Sequence, residues 1–132
     1  MPERLVNAFP GTARLRTRSD FRRVLTRGVR IHTRNFILYV LTTSSDASRL
    51  GVTVSRKVGN AVVRNRIKRC VREAFRLEIQ ARTETFDLVV IAKNPKRGEP
   101  KMTVRTASNK FRTPAVVSEV NYGIRKHFSM VS

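Results

Sequence analysis

The sequence predicts an α+β domain in which a small β-sheet is covered on one face by helices, in the order αβββαβα. Three patterns carry this expectation: short apolar runs of period two between residues 29 and 55, a long run of helical period over 61–80, and a continuous apolar run over 86–92. The 132 residues, 40% of them hydrophobic, suffice for one modest core. No internal repeat, low-complexity tract or Gly/Ser linker divides them, so residues 1–132 read as a single domain.

The elements follow in chain order. Residues 1–13 form a flexible basic arm whose irregular character runs on to residue 18, with Pro2, Pro10 and Gly11 as breakers and Arg14, Arg16 and Arg18 supplying charge. Ser19 caps a helix of about two turns, in which Asp20 complements the N-terminal dipole, Phe21, Val24 and Leu25 form an i, i+3, i+4 stripe, and Gly28 ends the run. Val29 to His32 is a short edge strand, and Phe36 to Thr42 is β-branched and aromatic. Leu50 to Ser55 is a third strand, where Leu50, Val52 and Val54 alternate with Gly51, Thr53 and Ser55. With Phe36, Leu38 and Val40 on the buried face, Ile37 and Tyr39 share the opposite face with Thr53. Ala61 to Gln80 is the clearest helix, with Val63, Ile67, Cys70, Val71 and Ala74 on one stripe and Arg64, Lys68, Arg72 and Arg76 at i+4 steps beside it. Phe86 to Ala92 reads as a central strand buried on both faces, and Lys93 to Lys101 as a loop. Thr113 and Pro114 open a last helix carrying Val117, Val120, Ile124 and Phe128.

Charge sets the function class. Twenty-eight Lys and Arg against nine Asp and Glu give a formal net charge of +19. Solubility is met by a net charge of roughly 2–8 in a small domain, so this excess calls for a polyanionic partner that relieves self-repulsion and releases condensed counterions. No stretch approaches the ~20 apolar residues of a membrane span, and the first residues lack the apolar core of a secretory signal, which points to a cytoplasmic protein that binds no membrane. Cys70, the single cysteine, excludes an intrachain disulfide and a multi-cysteine zinc site, and its apolar neighbours make it a buried structural thiol.

The basic residues are concentrated in Ser55 to Arg76, SRKVGNAVVRNRIKRCVREAFR. Backbone amides at a helix start and the helix dipole both favour an anion, and Arg56 and Lys57 add formal charge beside them. Arg64, Asn65 and Arg66 occupy the first turns, where guanidinium forks suit phosphate oxygens and an Asn amide suits a sugar hydroxyl or base edge. Only Glu73 is acidic within Ala61 to Arg76, unlike a helix face tuned by alternating Glu and Lys. RNA is favoured over DNA because Phe21, Ile37 and Tyr39 offer flat groups to unstacked nucleotides. Catalysis by the protein is not expected: His32 and His127 have no sequence-adjacent carboxylate and read as surface or RNA-proximal groups, and the acidic residues show no metal-ligand spacing.

The run GNAVVRNRIKRCVREAFR at 59–76, with its Arg64-Asn65-Arg66 core, resembles the protein subunit of bacterial ribonuclease P. Supporting it in order are RLRTRSDFRRVLTRG at 14–28, FILYVL at 36–41, RLGVTVSRKVGNAV at 49–62 and FDLVVIAK at 86–93. The resemblance implies a two-layer α-β sandwich like domain 2 of ribosomal protein S5, with a left-handed βαβ crossover. It further implies a protein that joins a catalytic RNA to remove the 5′ leader of precursor tRNA. The RNA and its Mg2+ ions perform the hydrolysis, and the protein itself holds no cofactor or metal. A holoenzyme with more than one copy is compatible with it. By this resemblance Arg64, Asn65, Arg66, Lys68, Arg69 and Arg72, joined by Arg56 and Lys57, contact the catalytic RNA. Phe21, Ile37, Tyr39, Thr53 and Lys57 form a cleft for the leader. Leu25 stands where some members carry an aromatic residue, and Arg56 where Lys is frequent. The charge alone also suits a non-enzymatic ribosomal or RNA-chaperone protein.

Overall fold

The structure, a computed structural model, describes residues 14–131. The expected arm over 1–13 lies outside the described residues. Helix α1 spans Arg18–Arg27, strands β1 Val29–His32, β2 Phe36–Thr42 and β3 Arg49–Thr53. Helix α2 spans Ala61–Gln80 and strand β4 Phe86–Ala92, followed by α3 Val104–Lys110 and α4 Thr113–Val131. The strands form one mixed sheet in the order β1-β2-β4-β3, with β3 parallel to β4 and the other pairs antiparallel.

Register explains the core. Ile31 pairs with Leu38, which pairs with Val90, which pairs with Val52; Phe36 sits opposite Ala92, and Val40 opposite Leu88. Period-two alternation puts these residues on one face, where α2 supplies Val63, Ile67, Val71 and Ala74 and α4 supplies Val116, Val120 and Ile124 to one buried cluster. Edge-to-face contacts of Phe86 with Phe75 at 5.7 Å and with Phe128 at 5.5 Å tie both helices to the sheet. Cys70 is buried as expected, its Sγ 3.6 Å from the Phe111 carbonyl and 3.6 Å from the Thr113 hydroxyl.

Three features differ from the sequence reading, and a fourth, the end of α1 at Gly28, holds for a different reason. Thr17, not Ser19, caps α1, its side chain accepting from the Asp20 amide at 3.1 Å. Gly28 does end α1, but its φ of −73° is open to any residue. Close packing is what demands glycine there, since a Cβ would stand 2.5 Å from the Val24 carbonyl oxygen. Helix α3 was not legible, because it is only seven residues long and four of them, Val104, Thr106, Ser108 and Asn109, are weak helix formers; it stands on a Thr103–Thr106 capping box and the burial of Ala107 and Phe111. His127, expected at the surface, is buried between α4 and β2, with Nε2 3.4 Å from the Thr42 hydroxyl.

While α2 and α4 form the covering layer, α1 rests on the opposite sheet face, where Leu15 and Val24 pack on Val89. Its anchor is electrostatic. Asp87 of β4 is fully buried, and Arg49 of β3 donates to it through Nε at 3.1 Å and Nη2 at 2.9 Å. Arg23 of α1 donates to the same carboxylate at 3.3 Å, and Asp20 lies 3.4 Å from both arginines. The Asp87 hydrogen bonds raise the Arg49 guanidinium above its ordinary pKa. Removing one partner of a buried ion pair strands the other charge. Asp87→Asn is therefore expected to lower the unfolding free energy by about 3 kcal/mol in urea melts and to speed amide exchange in α1.

Burial first, and then the positive charge of Arg82, hold the His127 imidazole below its ordinary pKa. The folded state then binds protons less readily than the unfolded chain, so this contribution to stability is complete above about pH 6.5 and is lost as pH falls toward the folded value. His127→Leu should flatten the fall of stability between about pH 7 and 5, measured by denaturant melts across that range.

Candidate nucleic-acid interface

Helix α2 begins where a short loop is fastened from below. Val58 is fully buried, its amide donates to the Ser55 carbonyl at 3.1 Å, and its own carbonyl accepts from the Met102 amide at 2.9 Å. The Ser55 hydroxyl donates to Asn94 Oδ1 at 2.6 Å and accepts from the Lys57 amide at 3.2 Å. With the loop so pinned, Arg56 and Lys57 project into solvent. Asn60 caps α2, its Oδ1 accepting from the Val63 amide at 3.0 Å, and no acidic residue occupies the first turn. The dipole's positive end is thus left without an internal anion.

The cations of α2 surround its buried stripe. At ~100° per residue, Arg64, Lys68 and Arg72 form one flank, Asn65 and Arg69 point outward, and Arg66 forms the other flank. The first flank lies toward the free edge of β3, where the chain at Arg14 bridges to Leu50. Arg66 and Arg69 line a groove of about 280 Å3 with Val62, Val104 and Ala107. Among the described residues no carboxylate pairs with Arg64, Arg66, Lys68, Arg69 or Arg72, and the Nε atoms of Arg64 and Arg66 are shielded from solvent with no hydrogen-bond acceptor in the protein. Desolvation, followed by the charges of Arg14 and Arg69, lowers the Arg72 pKa from its ordinary value. Only at Arg76 does the helix turn to internal pairing, with Glu73, whose carboxyl that hydrogen bond holds below the usual range.

The second half of the site is the sheet face under α1. Pairing aligns two rows across it: Arg30, Tyr39, Val89 and Gly51, then His32, Ile37, Ile91 and Thr53. The Phe21 ring lies directly over Gly51, where a Cβ would come within 2.5 Å of Cζ. Ile37, Tyr39, Ile91 and Phe21 are half-buried and Thr53 is exposed, so α1 covers part of this face and leaves the rest, where the resemblance places the leader cleft, half-open. The structure therefore brings Phe21, Ile37, Tyr39 and Thr53 onto one surface, and Lys57 follows just past the end of β3. Phe21 both packs on the chain's own sheet and borders the cleft.

Sequence reasoning missed Ile91, assigned to a strand buried on both faces, because only strand register shows that it faces the cleft. His32, read from the sequence as a surface or RNA-proximal group, is exposed and stands in the same row. Arg30 Nε donates to His32 Nε2 at 2.9 Å, so that nitrogen is unprotonated. Desolvation and the charges of Arg30 and Lys93 lower the imidazole pKa further. Among the described residues, no three His, Cys, Asp or Glu side chains converge as a metal site, and no helix is long and apolar enough to cross a membrane.

The fold that carries these surfaces is one that other proteins share. The family profile described as ribonuclease P matches residues 9–115. The chain belongs to the ribonuclease P protein family. A ribonuclease P protein component of Shouchella clausii is 44% identical over 115 residues, covering 86% of this chain and 93% of that one. One from Exiguobacterium sibiricum is 39% identical over 100 residues, covering 75% and 84%. Among solved structures, the ribonuclease P protein of Staphylococcus aureus superposes with a TM-score of 0.68 at 28% identity, covering 87% of this chain and 94% of that one. The Thermotoga maritima protein gives 0.64 at 30% identity, covering 85% and 96%. The ribonuclease P match runs past the motifs at 14–93, through α3 and into α4, so the helix that the sequence did not reveal lies within the family's shared region.

Proposed function

We propose that this chain acts as the RNA-binding subunit of a ribonucleoprotein endoribonuclease that removes the 5′ leader from precursor tRNA. In this reading the start of α2, with Arg56, Lys57, Arg64, Asn65, Arg66, Lys68, Arg69 and Arg72, binds the phosphodiester backbone of the catalytic RNA. The half-open cleft of Phe21, Ile37, Tyr39 and Thr53, with Lys57 at its end, takes the single-stranded leader. The names of the relatives support the partner and the reaction class. One observation carries the assignment of surfaces: the cations at the start of α2 have no carboxylate partner among the described residues, although carboxylates pair with arginines elsewhere in the same small domain. A cation left unpaired in the folded chain is one that a phosphate can pair with.

The chemistry divides accordingly. Hydrolysis belongs to the RNA, and Mg2+ enters with it. The protein holds the leader extended, so that bases stack on Phe21 and Tyr39 while Thr53 and Lys57 meet sugar and phosphate. His32, neutral at pH 7 and held by Arg30, adds a polar edge without adding charge. The cytoplasm suits this work, since the lone buried thiol needs no oxidising compartment.

Arg64→Ala with Arg66→Ala should weaken binding to a bacterial ribonuclease P RNA by about 10- to 100-fold and reduce the slope of log K against log salt by about 1.5, because each neutralised phosphate contributes roughly 0.7–0.9 to that slope. An unchanged slope removes those side chains from the interface. A leader-length series tests the cleft independently. With the catalytic RNA present, affinity for precursor tRNA should rise as the leader grows from none to about five nucleotides, and Tyr39→Ala should cancel roughly 5- to 100-fold of that gain. Affinity indifferent to leader length would instead favour a general RNA chaperone.

A further inference from the structure

Neither the cleft nor the basic helix uses the outer face of α4. Val116, Val120 and Ile124 of this helix are buried in the main core, and at ~100° per residue Tyr122 stands on the opposite side, 58% exposed. The ring forms the shared wall of two concavities, of about 690 and 660 Å3. The first lies between α4 and the turn after β1, with Arg34 and Lys110 in its lining; the second runs along α4, with Arg125 and Lys126 in its lining.

Charge on this surface is predominantly positive. Its one carboxylate, Glu119, is fully engaged: it accepts from the Thr33 hydroxyl at 2.7 Å, from Asn35 Nδ2 at 3.1 Å and from the Asn35 amide. Arg125 lies 3.7 Å from Glu78, a carboxylate that Arg82 already holds at 2.7 Å, and the Arg125 side chain stays 66% exposed. Arg34 and Lys126 have no carboxylate partner among the described residues. An aromatic ring between two hollows, bordered by cations on both sides, matches what an extended nucleic-acid strand presents: a base face with a phosphate before and after it. A duplex keeps its base faces stacked inside, and the core of a protein interface is depleted in charge, so neither fits as well.

The geometry points to a second RNA-binding surface on the outer face of α4, where an unpaired nucleotide stacks on Tyr122 and Arg34, Lys110, Arg125 and Lys126 neutralise the flanking phosphates. This surface lies on the helix layer, with the sheet between it and the leader cleft, and it stands whether or not the cleft binds a leader.

The test uses the full chain and a single-stranded hexauridylate carrying one 5-iodouridine. Photo-crosslinks mapped by mass spectrometry should include Tyr122, and should persist there in Tyr122→Phe. In a chain already carrying Arg64→Ala and Arg66→Ala, adding Tyr122→Ala should weaken hexauridylate binding roughly 5- to 100-fold, while Tyr122→Phe changes it little. An RNA hairpin without unpaired bases should compete poorly. Crosslinks confined to the cleft and α2, equal affinity with and without the ring, or a hairpin competing as well as the single strand would each overturn the assignment. So would sedimentation showing a dimer that Tyr122→Ala dissociates, since the ring would then meet another copy of the chain. None of these outcomes bears on the salt slope of the α2 variants, so the two readings fail separately.

Discussion

The arrangement rests on one constraint: nine carboxylates must fold a chain that carries twenty-eight basic side chains. Scattered evenly, they would dilute the positive field everywhere and clamp nothing. Here they act as internal fasteners. Asp87, buried, holds Arg49 and Arg23 and so seats α1 on the sheet. Glu78, also buried, holds Arg82 near the end of α2, and Glu119 fixes the turn between β1 and β2 against α4. Each of these fasteners lies away from the first three turns of α2. The same few acids that stabilise the fold thereby leave the binding helix uncompensated, and Arg72 shows the consequence in a guanidinium whose charged form is disfavoured by desolvation and by its basic neighbours. Self-repulsion of this kind lowers the stability of the isolated protein and raises its affinity for a polyanion, because binding phosphate removes the repulsion.

Much of the fold was legible because its signals are local. Alternation along β2 and β3 and the helical stripe of α2 survive in the sequence without knowledge of neighbours, and the buried faces are those the periodicity selects. What could not be read depends on residues far apart in the chain. The Phe21, Val24 and Leu25 stripe shows that α1 has an apolar side but not which sheet face it meets; Arg23 and Asp87, 64 positions apart, decide that, and Leu25 remains 40% exposed. Helix α3 has little intrinsic preference for its conformation and forms because Phe111 packs edge-on against Phe36 at 5.8 Å. His127 looked polar and basic in sequence, yet it continues the Val116, Val120, Ile124 face and is buried with it.

The candidate site divides in the same way. Its basic half is contiguous in sequence and could be read directly. Its apolar half is assembled from α1, β2, β3 and β4: alternation alone puts Ile37, Tyr39 and Thr53 on one face, but only the pairing of Ile91 with Ile37 and with Thr53 reveals that Ile91 joins them. Gly51 is the clearest example of a residue whose role is invisible beforehand. In a strand it looks like a weakness, and in the structure it is the seat that lets the Phe21 ring approach the sheet closely at the cleft's border.

Topology explains why the two halves meet. Parallel strands cannot be joined by a tight turn, so the passage from β3 to β4 requires a crossover, and here the crossover is α2 itself. A helix following β3 must start near that strand's C-terminal end, which is also where Thr53 and Ile91 end the exposed rows of the cleft. The basic helix start and the apolar cleft are therefore brought to one edge by chain connectivity, through a loop whose Val58 is locked into the core and whose Arg56 and Lys57 are not. Open parallel sheets gather ligands at the carboxyl ends of their strands for the same reason, since helix N-termini and strand ends converge there. In the function proposed above, an RNA strand leaving the cleft past Lys57 would meet the first turn of α2 at once, so one edge of the domain would serve both surfaces.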